Sequence, residues 1–298
     1  MNQADTAWML ISTALVLLMT PALGMFYAGF VRSKNVLNTF MMSVAALGVA
    51  TVVWALVGYS LAFDTGNDFI GGLGHAFLND VGFLPREGLT IPELVFFVFQ
   101  TTFVIITAAL ISGAVVERMR FGAFLVFIVV WVIAVYAVLA HWVWGGGWLA
   151  DLGVLDFAGG VPVEMASGFS AFAAAWVVGA RKDYGRRAYL PHNALYILMG
   201  AGLLWFGWMG FNGGSGFSVG NAGVLAITNT LLTPACTLVA WFLLDYARGR
   251  KVTAVGAATA IIVGCVGITP AAGYISPMWA MALGVIAAIP SYLVITWR

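Results

Sequence analysis

The stretch HWVWGGGWLADLGVLDFAGGVPVE, residues 141–164, joins two apolar runs and carries a carboxylate into the second of them. The chain leaves the first run through Trp142 and Trp144, turns at three glycines, and enters the second run at Asp156. Glu164 is the only carboxylate that lies well inside an apolar segment. Because an ionisable group at membrane depth is costly and by default faces a cavity or a partner, we expect Glu164 to line a pore. The alternative is a carboxylic acid that burial keeps neutral.

The composition places the rest of the chain in the same class. Of 298 residues, 62% are hydrophobic and only 8% are charged, whereas about a quarter of the residues in a soluble domain are charged. The class is therefore a polytopic membrane protein. The net charge of +1 gives no reason to expect a nucleic-acid partner. Cys236 and Cys265 lie in apolar runs without metal-ligand spacing, which is typical of small buried hydrophobic residues.

Apolar runs long enough to cross a bilayer recur along the chain. A spanning helix needs about 20 mostly apolar residues. The sequence predicts an all-α fold, a helical bundle of nine spans in which residues 1–298 form a single membrane domain. The predicted spans are 8–31, 37–62, 92–115, 121–142, 157–180, 193–212, 222–246, 252–270 and 277–297. Asp5, and the lack of a basic residue before the first run, favour a retained span over a signal peptide.

The basic residues predict the orientation of these spans. Loops that carry an excess of Lys and Arg lie on the cytoplasmic side, and Arg86 is the only basic residue in the opposite loops. We therefore expect a multi-pass protein of the cell inner (plasma) membrane with its amino terminus outside. The basic residues that share the cytoplasmic side are Arg32, Lys34, Arg118, Arg120, Arg181, Lys182, Arg186, Arg187, Arg248, Arg250, Lys251 and Arg298.

Aromatic residues cluster at the outer ends of spans three, four and six. One interpretation is an aromatic belt at the level of the lipid headgroups. The alternative is an aromatic cage that attracts a small cation through its ring faces. A hydroxyl such as Ser215 would then accept a hydrogen bond from an N–H donor. Asp156 is interpreted either as a helix N-cap or as a residue that holds the outer vestibule. The clustered residues are Phe96, Phe97, Phe99 and Phe103 around Gln100, then Trp142 and Trp144, then Trp205, Phe206, Trp208 and Phe211 before Asn212.

The sequence gives little support to an enzyme. It contains no nucleophile–base–acid arrangement, phosphate loop or metal-ligand cluster, and His75 and His192 fall in predicted loops while His141 ends span four. We therefore expect no catalytic residue and no cofactor.

Six motifs in order and in register resemble the ammonium transporter (Amt/Mep/Rh) family, and together they cover essentially the whole chain. They are GMFYAGFVRSKNVL (24–37), AHWVWGGG (140–147), LDFAGG (155–160), PHN (191–193), GWMGFNGGS (207–215) and ITPAAGY (268–274). The resemblance implies a homotrimer in the lipid bilayer, each protomer holding a narrow pore between two inverted five-helix repeats. Ammonium or ammonia would be the substrate, and a PII-type signal protein the regulatory partner.

The resemblance also implies roles for individual residues. Trp144, Phe103 and Ser215 would form the outer ammonium site, and Phe103 with Phe211 would form the gate. Asp156 would be the buried acid that supports the outer site. Trp208 would lie close to this region.

Two departures from the family pattern carry their own expectations. Glu164 stands where the family usually has the first of two pore histidines, as an acidic residue does in some fungal members. The sequence also stops at the end of span nine, so spans one to five would form the first repeat and spans six to nine an incomplete second. A fragment of a longer gene product and a shortened homologue both fit this pattern.

The leading function is therefore an ammonium transporter or channel that passes ammonia while the proton travels separately. The second hypothesis is an ammonium sensor domain coupled to a cytoplasmic signalling output. A third is a pore for another small cation, with Glu164 as its charged selectivity element.

Overall fold

The computed structural model describes residues 1–182, 184–186 and 188–297. Within these ranges the protein is helical, without a strand, and nine helical segments have the length and hydropathy to cross a membrane. The nine predicted spans are therefore confirmed, with bounds that differ by a few residues at most ends. Arg187 and Arg298, which entered the orientation prediction, lie outside the described residues. The spans, numbered one to nine in chain order, are Gln3–Phe30, Ser33–Phe63, Glu93–Val115, Phe121–Asp151, Gly160–Val178, Ala194–Gly214, Asn221–Ala247, Ala254–Ala271 and Pro277–Thr296.

Spans two, four and five are not uniform α-helices, because each contains a π-helical turn. These turns are Trp54–Gly58, Val132–Tyr136 and Gly160–Met165. Such turns widen the helix locally and are frequent at functional sites. The α-helical segments are Gln3–Phe30, Val36–Val53, Tyr59–Phe63, Glu93–Val115, Phe121–Trp131, Ala137–Trp144, Trp148–Asp151, Ala166–Val178, Ala194–Gly214, Asn221–Ala247, Ala254–Ile268 and Pro277–Thr296.

The loops define two ends of the bundle. We call the end formed by residues 64–92, 145–159, 215–220 and 272–276 the vestibule end. The opposite end, formed by residues 31–35, 116–120, 179–182 and 248–253, is called the arginine-rich end.

Span one begins five residues earlier than predicted, at Gln3. The side chain of Asn2 accepts hydrogen bonds from the backbone N–H groups of Ala4 and Asp5, at 2.9 and 3.3 Å. This N-cap satisfies donors that a helix start leaves without partners. The Asp5 carboxylate in turn accepts from the Thr90 hydroxyl at 2.5 Å and from Val219 N–H at 2.8 Å. The start of span one is thereby fixed to two loops of the vestibule end.

Spans one and six pack closely along most of their length. Small residues at an interface allow helix backbones to approach each other in lipid. At Gly207 of span six, a Cβ atom would lie 2.3 Å from Met19 Cγ and 2.8 Å from the Leu15 carbonyl oxygen. A larger residue at this position would therefore push the two spans apart.

The α-helical segment Ala137–Trp144 of span four is attached at its end to span two and to the loop that follows span two. The buried ring of His141 places Nδ1 2.9 Å from the Ala62 carbonyl oxygen and Nε2 2.7 Å from that of Asn67. The His141 carbonyl oxygen accepts from Gly145 and Gly147 N–H, both at 3.0 Å. These contacts fix the helix end that carries Trp144.

At the arginine-rich end, the Glu117 carboxylate joins three loops. It accepts hydrogen bonds from Arg32 Nε at 3.0 Å and Asn35 Nδ2 at 2.6 Å, and Arg181 Nε lies 3.6 Å away. Burial raises the pKa of the carboxyl, but the hydrogen bonds from Asn35 and Arg32 lower it by more. The charge of Arg181 acts in the same direction, and the net pKa lies below the ordinary value of 4.5. The carboxylate is therefore stabilised in its charged form.

Candidate functional site

The side chains singled out by the sequence meet at the vestibule end. Phe103 of span three, Trp144 of span four and Ser215 after span six line one cavity of about 560 Å³ together with Asp156. We call this cavity the vestibule. Spans three, four and six bring these residues together from positions as far as 112 residues apart in the chain, the separation of Phe103 and Ser215.

The floor of the vestibule is aromatic. Phe103 and Phe211 are stacked, with ring centroids 4.1 Å apart and planes inclined by 23°, and both side chains are buried. Trp144 meets Phe103 edge-on at 6.0 Å. The separation of Trp144 and Phe103 is in the range in which aromatic pairs attract each other beyond their buried area, and the stacked pair is closer still. The rings therefore form a packed barrier beneath the cavity.

Ser215 and Trp144 have their hydrogens directed to backbone carbonyl groups. The Ser215 hydroxyl donates to the Phe211 carbonyl oxygen at 2.8 Å, and Trp144 Nε1 donates to that of Asp156 at 3.1 Å. Since the Ser215 hydrogen is already used, its oxygen lone pairs are available to an N–H donor. The indole ring of Trp144 is fixed in orientation by the same kind of contact.

Asp156 lines the vestibule, and its carboxylate also caps the helical turn that follows, three residues before the N-cap residue Gly159. Its carboxylate accepts from the backbone N–H groups of Gly159, Gly160 and Val161 at 2.8, 2.7 and 2.7 Å. These groups start the π-helical turn Gly160–Met165. Gly159 has a left-handed φ of 112°, and a Cβ there would also lie 2.9 Å from Val163 Cγ2. The turn therefore depends on the Asp156 carboxylate and on glycine at 159.

Negative charge at Asp156 also influences the rim of the vestibule. Tyr274 lines the same cavity. Partial burial raises the pKa of the Tyr274 hydroxyl, and the nearby Asp156 carboxylate raises it further. The cavity thus combines ring faces with a negative potential, which suits a small cation.

Glu164 lies beyond the aromatic floor. It lines a second, smaller cavity of about 60 Å³ together with Tyr27, Trp208 and Phe211. Trp208 Nε1 donates to Thr269 Oγ1 at 2.9 Å, and the Tyr27 hydroxyl donates to the Leu110 carbonyl oxygen at 2.9 Å. Within the described part of the chain, the buried Oε1 atom of Glu164 has no hydrogen-bond partner.

The stacked pair separates these two cavities. Phe103 lines the vestibule and Phe211 lines the cavity of Glu164. A species that passes from one to the other must move between or around the two rings. The arrangement suits selection at one end and proton exchange at the other.

Several residues of the site received no role from the sequence. Gln100 lines the vestibule one helical turn before Phe103, and its buried Oε1 has no partner among the residues that the structure describes. Its position in an aromatic run was a usable signal, because a buried amide needs partners. Phe217 and Arg86 also line the cavity, but neither has a sequence signal that points to it.

Comparisons with known proteins agree with one another. The profile of the Ammonium Transporter Family matches residues 7–298. An ammonium transporter from Bacillus subtilis is 47% identical over 287 residues, which is 96% of this chain and 70% of the relative. The crystal structure of Candida albicans Mep2 superposes with a TM-score of 0.92 at 40% identity, covering 97% of this chain and 65% of that one. A structure titled Sensor Amt Protein gives a TM-score of 0.91 at 31% identity, covering 98% and 74%. The chain thus spans about two thirds to three quarters of the length of these relatives.

Proposed function

The chain belongs to the ammonium transporter family, and from that membership we propose that it recruits ammonium in the vestibule and passes ammonia through the bundle, with the proton carried separately. The observation that carries this proposal is the stacked pair of Phe103 and Phe211, which divides a cation-attracting cavity from one that is lined by Glu164.

Recruitment rests on ring faces and on one hydroxyl. Trp144 and Phe103 offer faces that attract a cation by about 0.5–2 kcal/mol, more when the site is dry. The Ser215 oxygen accepts one N–H of the bound ion, because its own hydrogen is directed to Phe211. Asp156 adds negative potential to the vestibule, while its oxygens accept hydrogen bonds from backbone N–H groups.

Passage requires that the ion lose its proton. Moving a bare cation through an apolar passage is far more costly than moving neutral ammonia, so the ring pair favours the neutral species. Beyond the rings, Trp208 packs beside Phe211 at 5.6 Å between centroids. Glu164, with its unpartnered Oε1, is the acceptor for a proton that travels separately.

The assembly follows the family. We propose a homotrimer in the plasma membrane, with the vestibule end outside and the arginine-rich end in the cytoplasm, where a PII-type protein would bind. Spans one to five and spans six to nine belong to the two repeats of one membrane domain. Large apolar side chains exposed along the spans, such as Leu18, Val130 and Leu243, support contact with lipid or with neighbouring protomers.

A current recording tests this function. The purified protein in liposomes should give a saturable current on an ammonium pulse, and Glu164→Gln, which keeps the shape of the side chain, should lose it. Asp151→Asn is the matched control, because Asp151 is an exposed carboxylate that lines neither cavity. If the Glu164→Gln current equalled that of wild type, the proton-carrying role would be wrong.

The second candidate function is an ammonium sensor, which the similarity to the structure titled Sensor Amt Protein favours. Saturable ammonium binding without any current would support it over transport. A pore for another small cation is the third, and potassium that competes with ammonium at comparable concentration would support that instead.

A further inference from the structure

Arg86, the only basic residue that the sequence places in the loops of the vestibule end, lies in the wall of the vestibule itself. Its guanidinium carbon is 4.2 Å from the ring centroid of Phe96 and 5.2 Å from that of Phe63. Phe96 also lines the vestibule. A ring face of the kind that attracts cations is therefore already covered by a cation of the protein.

Hydrogen bonds to Glu93 and Tyr59 hold the guanidinium in this position. Arg86 Nη1 lies 2.6 Å from Glu93 Oε1 and 3.2 Å from the Tyr59 hydroxyl oxygen, and the Tyr59 hydroxyl donates to the same carboxylate. The backbone is fixed as well, since Arg86 N–H donates to the Ile91 carbonyl oxygen at 3.1 Å. Charge-assisted bonds of this length are strong, so the side chain is a fixed part of the wall.

We propose that Arg86 is a specificity-determining residue: a tethered cation that covers Phe96 and so removes one ring face from those that the vestibule offers to an incoming ion. This inference rests on the proposed recruitment of ammonium in the vestibule. Ammonium is small enough to use the remaining site. Alkylammonium ions, whose methyl groups need additional ring surface, lose the contact that Phe96 would otherwise provide.

The selection arises because the Arg86 guanidinium occupies the face of Phe96, more than because it changes the net charge of the wall. The pair of Arg86 and Glu93 is close to neutral as a unit, and charge repulsion by the guanidinium is correspondingly reduced. A change of net charge in the wall affects ammonium and methylammonium alike, because both carry one positive charge. Uncovering a ring affects the larger, less hydrated ion more.

The test compares the binding of ammonium and of methylammonium to the full chain in detergent by titration calorimetry. In Arg86→Gln/Glu93→Gln, which removes both charges together, methylammonium should bind roughly fivefold more tightly relative to ammonium than in wild type. Arg86→Lys, which keeps the ion pair but presents a compact and strongly hydrated charge, should move the ratio in the same direction by less. If the double variant does not fold, this second variant decides the question.

Two further variants separate the causes. Glu87→Gln changes the charge of the same wall without touching Phe96, so it should alter both affinities by one factor and leave their ratio unchanged. Adding Phe96→Leu to the double variant should return the ratio to the wild-type value. An unchanged ratio in folded double and lysine variants would overturn the role of Arg86 alone. A wild-type protein that binds no ammonium would overturn the proposed recruitment as well.

Discussion

Phe103 and Phe211 stack face to face with centroids 4.1 Å apart, although one belongs to span three and the other to span six. Each ring lines a different cavity, so this one contact is the boundary between the vestibule and the cavity of Glu164. The boundary is apolar and fully buried, and a hydrated ion has no hydrogen-bonding group with which to cross it. Function at this site therefore depends on a contact between span three and span six.

Phe211→Leu should weaken this boundary. Leucine fills part of the volume but cannot stack, so we expect water and small ions to reach the cavity of Glu164. The measurement is the current of liposomes in the absence of ammonium, which should rise above that of wild type. Phe206→Leu is the matched control, because Phe206 lies in the same span with its side chain 56% exposed. Equal background currents in both variants would contradict the barrier.

Trp144→Leu should weaken ammonium binding by about tenfold, as expected for the loss of a partly desolvated cation–π contact. Its indole also donates to the Asp156 carbonyl oxygen, so the loss of a hydrogen bond needs its own control. Trp142→Leu supplies it, because Trp142 Nε1 donates to the Phe69 carbonyl oxygen at 2.9 Å and its ring does not line the vestibule. Titration with ammonium and methylammonium compares the two variants. Equal affinities would contradict recruitment at Trp144.

The spans were predictable from the sequence, whereas most of the site was not. A helix that crosses a bilayer needs about 20 apolar residues, so the spans can be located from the hydrophobicity of the sequence alone. The roles of Phe103, Trp144 and Ser215 came from the resemblance, because nothing local distinguishes a cage from an aromatic belt. In the sequence, Arg86 contributes only to the prediction of membrane orientation, and nothing places it in the site.

Local geometry was the other part that the sequence did not reveal. The π-helical turn Gly160–Met165 arises where the Asp156 carboxylate collects three backbone N–H groups. The stacking of Phe103 on Phe211 arises from the crossing of two distant spans. Neither has a periodic signal, since both depend on tertiary packing.

Asp156→Asn should destabilise the protein by about 2 kcal/mol, because hydrogen bonds to a charged acceptor contribute about 1.5–3 kcal/mol. The amide keeps one oxygen and directs an NH₂ group at a backbone donor, so the turn that contains Glu164 loses its cap. Thermal unfolding in detergent and ammonium titration should both show the defect. Asp151→Asn, a change at an exposed residue that ends the preceding helix Trp148–Asp151, should leave both unchanged. An Asp156→Asn protein as stable as wild type would contradict the capping role.

Glu117→Gln should remove an acid-sensitive part of the stability. The pKa of the folded carboxyl is below its ordinary value of 4.5, so in the unfolded chain the group binds a proton more readily. Its contribution to the free energy of unfolding is therefore fully present above the unfolded pKa and is lost as the pH falls through the folded pKa. We expect the difference in melting temperature between wild type and variant to be constant from about pH 7 to pH 5.5 and to shrink at lower pH.

The physical reason is that the charged Glu117 carboxylate joins the loops of the arginine-rich end. Glu117 is 1% exposed and bonds Arg32 at 3.0 Å while Arg181 lies nearby, and glutamine cannot balance these cations. Melting curves of purified protein at several pH values give the difference directly. Glu87→Gln, at an exposed position of the opposite end, should give a small difference without this pH dependence. A Glu117→Gln difference that grew as the pH fell would have the wrong sign, and would show that the charged carboxylate does not stabilise the folded state.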